Sequence, residues 1–217
     1  ELVDPPKGKP ARDREPLSLD EAAALLRAAE GTRMCAAVAF LMASGCRLGE
    51  LLALRWDDID LDEGTVHIRR SLRRTPNGGV VESDVKTASS RRVVVVPPWV
   101  VEILRQHRRL LAAERLAVGP AYVDHNLVFP SELGGFTDPS NFRRAFRRLT
   151  KQAGITRPAW PHLLRHSLAS WLSDGGVEIA AIADQLGHRD ARITAAVYRH
   201  RLRPVVDVSA KIPDLRR

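Results

Sequence analysis

Three residues of the chain have types and spacing suited to phosphate chemistry. His162 and Arg165 are three apart, and His166 is four from His162, so on a helix they share one face. Such a face sets a two-pronged guanidinium, matched to phosphate oxygens, beside an imidazole. A surface helix with scattered polar groups has the same spacing. Arg47 stands in the run SGCRLGE, residues 44–50, between apolar helical stretches. There it is half buried, and a half-buried guanidinium needs an anion, either a carboxylate or a ligand phosphate. Glu50, three residues on, can serve as a structural partner. His188 follows Gly187 at a helix end, and Tyr198 comes ten residues later. The chain has two tyrosines, Tyr122 and Tyr198. A helical tyrosine is ordinarily a core or interface residue, and only rarely a nucleophile. Lys86 sits between two strand-like runs, where a solvated turn lysine is the ordinary reading.

The elements that must position these residues are readable in turn. Ser18 and Glu21 form a capping-box pattern that opens a helix over 19–29. An apolar helix over 34–43 closes at Ser44-Gly45, and a second helical stretch covers 47–54. Strands are expected at 57–60 and 65–70 around a turn at 62–64. The Pro76-Asn77-Gly78-Gly79 cluster marks a turn, and strands at 80–83 and 92–96 complete one small antiparallel sheet. Pro98 opens a long basic helix to about residue 116, and Asp138-Pro139 starts another to about 153. Helices over 162–173, 177–186 and 190–198 follow, the first two stopped by Gly175-Gly176 and Gly187. The fold class is α+β: mainly α-helical, with a small antiparallel β-sheet inserted near the N-terminal third.

The net charge of +8 points to a polyanionic partner, although a merely basic soluble protein has the same balance. Lysine accounts for only five of the 34 cationic residues, and arginine's planar fork suits phosphate geometry. The two cysteines, Cys35 and Cys46, lack metal-site spacing and suit a reducing cytosol. No apolar run is long enough to span a membrane. Residues 1–16, polar and proline-rich, read as a linker from a preceding N-terminal domain.

Taken together and in order, Arg47, Lys86, His162-Leu163-Leu164-Arg165-His166, Leu186-Gly187-His188 and Tyr198 resemble the signature of the tyrosine recombinases, the phage-integrase family. SGCRLGELLALRWDDID (44–60) resembles the family's first motif, and DVKTASSRRVVVVP (84–97) its lysine-bearing hairpin. HLLRHSLASWLSDGG (162–176) and LGHRDARITAAVYRH (186–200) resemble its last two motifs. The likeness runs over about 17–200. Leu163 departs from the aspartate often found at its position.

The resemblance implies a tyrosine recombinase catalytic fold and a DNA transesterification. Tyr198 is then the nucleophile forming a 3′-phosphotyrosine, and Arg47 and Arg165 hold the nonbridging oxygens. His188 adds a hydrogen bond, His162 serves as base or phosphate ligand, and Lys86 protonates the departing 5′ oxygen. Bond energy is conserved, so no nucleotide cofactor is expected. Two arginines and a lysine neutralise the phosphate, so no metal is expected. The resemblance also implies double-stranded DNA as partner, a tetramer on paired sites, no membrane, and a bacterial, cytoplasmic, nucleoid-associated setting. Residues 17–200 would form the catalytic domain and 201–217 a tail docking in cis or in trans. Two other readings remain at this point: a type IB topoisomerase-like relaxing enzyme and a non-catalytic DNA-binding module.

Overall fold

A computed structural model describes residues 15–75, 77–84 and 91–187, with the Asp84 side chain outside the description. Seven helices lie among the described residues: α1 (Leu19–Ala29), α2 (Met34–Ser44), α3 (Leu48–Leu52), α4 (Pro98–Val118), α5 (Pro139–Gln152), α6 (Pro161–Asp174) and α7 (Ile179–Leu186). Five strands fall between α3 and α4: β1 (Ile59–Asp60), β2 (Thr65–Ile68), β3 (Arg70–Arg74), β4 (Val80–Asp84) and β5 (Arg92–Val95). The expected helix over 190–198 lies outside the described residues.

Helix α2 is apolar on every side, and eight of its residues are buried. It is therefore a central rod, with the other helices amphipathic around it. Phe40 and Leu41 on α2, Leu51 and Leu52 on α3, Leu104 on α4, Phe146 on α5 and Leu163 and Leu164 on α6 meet in one core. Local chemistry sets the helix ends. Ser18 and Glu21 form the expected reciprocal cap of α1. Asp138 accepts from the Ser140 and Asn141 amides at the start of α5. Gly45 and Gly187 adopt left-handed conformations, with φ of 61° and 67°, where α2 and α7 end; glycine is the residue that does this without strain.

The strands differ from expectation in two respects. They form two small antiparallel sheets: β1-β2-β5, and the hairpin β3-β4. The run expected as one strand over 65–70 breaks after Ile68, and β3 leaves to pair with β4, Arg70 opposite Asp84 and Arg74 opposite Val80. Side-chain anchoring explains the break. Arg70 donates to buried Asp58 at 2.6 Å and lies 3.5 Å from Glu82, and Glu82 also holds Arg55 at 2.8 Å. Asp58 also accepts the Arg55 amide, which favours the observed 3-10 turn at Trp56–Asp58 over the strand expected there. In the three-stranded sheet Val66, Ile68 and Val94 face the core, while Val93 and Val95 face solvent.

The start of the described chain is bonded to α6. The Leu17 amide donates to Ser167 Oγ at 2.8 Å, and the Trp171 indole donates to the Leu17 carbonyl at 2.9 Å. Arg157 donates to the Pro16 carbonyl at 2.9 Å and to Glu21 at 2.8 Å.

Candidate active site

The backbone reversal after α2 brings two arginines together. Ser44 Oγ donates to the Phe40 carbonyl and accepts the Cys46 amide, which closes α2. Gly45 then turns the chain, and its carbonyl accepts a 2.7 Å bond from Arg165 Nη1 on α6. Arg47 caps α3 and Glu50 lies in its first turn. Glu50 accepts the Arg47 amide at 2.9 Å and Arg47 Nη1 at 2.8 Å. Its other contact comes from β5, where Arg92 Nη2 donates to it at 2.9 Å. Arg47 Nη2 reaches the Gly187 carbonyl at 3.4 Å. Glu50 and Arg92 are buried, with side chains 2% and 7% exposed, whereas Arg47 is 42% exposed at the mouth of the cluster.

The charge balance calls for an anion. Among the described residues three guanidiniums, those of Arg47, Arg92 and Arg165, surround the single carboxylate of Glu50. Arg165 is pushed down to about 10, first by burial and then by the neighbouring Arg47 charge. Its Nη2 is buried without a hydrogen-bond acceptor among the described residues. A buried donor left unpaired costs about 1–3 kcal/mol, and an arriving phosphate oxygen would supply the acceptor. Burial pushes Glu50 up, but Arg92 and Arg47 outweigh it and hold the carboxyl below its ordinary range. Cys46, beside this cluster, is pushed up to about 12, first by burial and then by Glu50, so its thiol is inert at neutral pH.

Of the six expected site residues, three lie among the described ones. Arg47 and Arg165 share the cluster. His162 sits in the first turn of α6, exposed, with its ring edge-to-face against half-buried His166 at 4.6 Å between centroids. Lys86, His188 and Tyr198 lie outside the described residues. Lys86 belongs to the connection between β4 and β5, and His188 directly follows Gly187, whose carbonyl Arg47 holds. Arg92 is a site residue that sequence reasoning passes over. Its only signal is its place at the head of β5, six residues after Lys86, in a chain crowded with arginines. Among the described residues no three His, Cys, Asp or Glu side chains gather as a metal site would need.

Gly45 carries the geometry. A Cβ there would lie 2.5 Å from Leu186 Cδ2 and 3.0 Å from Leu168 Cδ2, on a backbone already left-handed. Gly45→Ala should therefore destabilise the fold by about 1–3 kcal/mol from overpacking alone, read as a lower urea midpoint at unchanged slope. An unchanged midpoint would mean that the α6–α7 contact yields freely.

One helix carries a strongly basic face. Helix α5 buries Phe142, Phe146 and Leu149 and exposes Arg143, Arg144, Arg147, Arg148 and Lys151. Among the described residues no helix is long and apolar enough to cross a membrane. An integrase of Streptomyces ambofaciens is 40% identical over 225 aligned positions, covering 99% of this chain and 56% of the relative. A XerC-like tyrosine recombinase of Caldanaerobacter subterraneus subsp. tengcongensis is 30% identical over 206 positions, covering 90% of this chain and 52% of the relative. The chain thus spans about half the length of these curated relatives. The crystal structure of the XerA recombinase superposes with a TM-score of 0.69 at 28% identity, over 97% of this chain and 68% of that one. A Tn1549 transposon integrase in complex with circular intermediate DNA matches at 0.73 and 19% identity, over 91% of this chain and 63% of that one, which shows the shared fold. The profile of the phage integrase family matches residues 15–203. With that match over most of its length, and with relatives this similar, the chain belongs to the phage integrase family.

Proposed function

We propose that the chain is the catalytic part of a site-specific DNA recombinase that cuts and rejoins strands through a 3′-phosphotyrosine on Tyr198. The observation that supports this most directly is that, among the described residues, the buried Nη2 of Arg165 beside Arg47 has no acceptor and its cluster holds more cations than anions. The relatives' designations as integrases and recombinases favour this reading over supercoil relaxation.

In the proposed reaction a bond forms between Tyr198 Oη and the scissile phosphorus, and the bond from phosphorus to the 5′ oxygen breaks. His162 takes the phenol proton or binds the phosphate, and Lys86 delivers a proton to the leaving 5′ oxygen. Arg47 and Arg165 hold the two nonbridging oxygens as charge builds on them, with His188 adding a hydrogen bond. A 5′-hydroxyl from another duplex then reverses the steps. No bond energy is lost, and no nucleotide cofactor or metal enters this scheme. Residues 17–200 would form the catalytic domain and 1–16 a linker from a further N-terminal domain. The protein would assemble as a tetramer on paired double-stranded sites in the bacterial cytoplasm, with 201–217 docking in cis or in trans. The exposed arginines of α5 would track the phosphate backbone.

The test is a nicked suicide duplex carrying the target site. Covalent protein–DNA adduct that resists denaturation supports the reading, and binding without adduct would make the chain a DNA-binding module. Lys86→Ala should form adduct about 10²- to 10⁴-fold more slowly, the usual share of a positioned acid. Replacing the bridging 5′ oxygen by sulfur should largely restore the rate, because a thiolate leaves without a proton. Failure of that rescue would make Lys86 a phosphate clamp or a structural residue.

A further inference from the structure

Arg92 joins parts of the chain that are far apart in sequence. Its Nη2 donates to Glu50 at 2.9 Å, and its Nε donates to the Gln185 carbonyl in the last turn of α7 at 2.9 Å. Its guanidinium lies so close to Gly187 that a Cβ there would meet Nη1 at 3.0 Å. It is itself the first residue of β5, at the far end of the connection that carries Lys86. Glu50 lies between Arg92 and Arg47 and bonds both.

We propose that Arg92 is a positioning residue for the phosphate clamp: it holds Glu50, and through Glu50 the guanidinium of Arg47, while locking the end of α7 ahead of His188 into the same frame. This rests on the recombinase reading for its consequence in catalysis, but not for its consequence in the free protein. Without Arg92, the one cation still hydrogen-bonded to the buried carboxylate among the described residues would be Arg47, itself 42% exposed, so the ionised form would be less favoured and Arg47 less firmly aimed. Among the described residues the charged and titratable groups facing Glu50 are Arg47 at the start of its helix, Cys46 before it, Arg92 from β5 and Arg165 from α6. From α7 come the carbonyls of Gln185 and Gly187, bonded to Arg92 and Arg47.

The prediction for the free protein uses Arg92→Gln and Arg92→Lys in the 217-residue chain. Glu50 is followed by carboxylate carbon NMR as pH is lowered. In the parent protein its carboxyl is held below the ordinary range, so it stays ionised through mildly acidic pH. With Arg92→Gln, burial is left less opposed, and Glu50 should take up its proton at higher pH than in the parent. Arg92→Lys should lie between the two, because it keeps the charge but loses the fork to Gln185. An unchanged Glu50 titration in Arg92→Gln overturns the proposal whatever the activity.

The second measurement is adduct formation on the suicide duplex. Arg92→Gln should lower the cleavage rate about 100-fold, the scale of a misplacement near 1 Å, with DNA affinity unchanged. Its rate should also fall further toward acidic pH, tracking Glu50 protonation, which a loss of folded protein alone would not produce. If Arg92→Gln does not fold, the double variant Arg92→Gln/Glu50→Gln removes the buried carboxylate together with its buried partner and should still cleave slowly, now without the acidic fall. Parent-like cleavage by either folded variant overturns the proposal. Absence of adduct with the parent protein would instead count against the recombinase reading, and the Glu50 titration would still decide the role of Arg92.

Discussion

Tyr198→Phe should abolish covalent capture of DNA while leaving DNA affinity within roughly a few-fold, since phosphate contacts rather than the phenol supply most binding energy. The substitution removes one oxygen, the atom proposed to bond to phosphorus, and leaves the ring and every cation in place. The other tyrosine is poorly suited to substitute for it. Tyr122 lies beyond the end of α4, under the Arg115 guanidinium at 6.0 Å, and its phenol is pushed up by burial and by Asp124. A phenol that ionises less readily is harder to activate, and this one is in no contact with the Arg47–Arg165 cluster among the described residues. Mass spectrometry of the digested adduct from the parent protein should find the nucleotide on the peptide containing Tyr198. Adduct formation by Tyr198→Phe, with the label on Tyr122 or elsewhere, would move the nucleophile.

Arg165→Lys should lower cleavage by about 10³-fold or more, on the scale of arginines that stabilise phosphoryl transfer. Two effects act in the same direction. Arg165 uses one nitrogen to bond the Gly45 carbonyl and leaves the other, buried, for a ligand; a lysine has one nitrogen and cannot do both in a fixed geometry. Burial and the Arg47 charge already bring the guanidinium down to about 10, and an ammonium starts lower and is more strongly hydrated, so it would give up its proton more readily there. Arg47→Lys should also be severely impaired, through lost geometry, because Arg47 bonds both Glu50 and the Gly187 carbonyl from a position that is 42% exposed. Raising the pH should therefore deepen the Arg165→Lys defect more than the Arg47→Lys defect. Equal pH dependence of the two would show that deprotonation is not part of the loss.

The helical frame was legible because its signals are local. Ser18 with Glu21, Asp138 with Pro139, and the glycines at 45 and 187 each act within a few residues of where they stand. Family membership was legible too, because the motifs occur in order. The strands were less so. The split of the sheet depends on Arg70 reaching Asp58 and Glu82, a tertiary event with no periodic signature. The burial of Arg165 could not be read from its helix face, which marks it as polar beside His162; it follows from α6 packing across the turn at Gly45. Arg92 was hidden for a compositional reason: the pairs Arg73-Arg74, Arg91-Arg92, Arg143-Arg144 and Arg147-Arg148 look alike in one dimension. Only the fold separates the one that meets Glu50 from those that face solvent.

The anchoring of the backbone at Leu17 has a mechanical consequence. The amide and the carbonyl of that one residue are both bonded to α6, at Ser167 and Trp171, and Arg157 grips the carbonyl just before it. Ser167 is two residues from Arg165. A pull on the chain at Pro16 is therefore not absorbed by slack; it is transmitted to the helix that bears the buried guanidinium. Any body attached upstream would act on that helix as on a lever, its fulcrum at Leu17, and the tension it applies would be felt as a small shift in where Arg165 points.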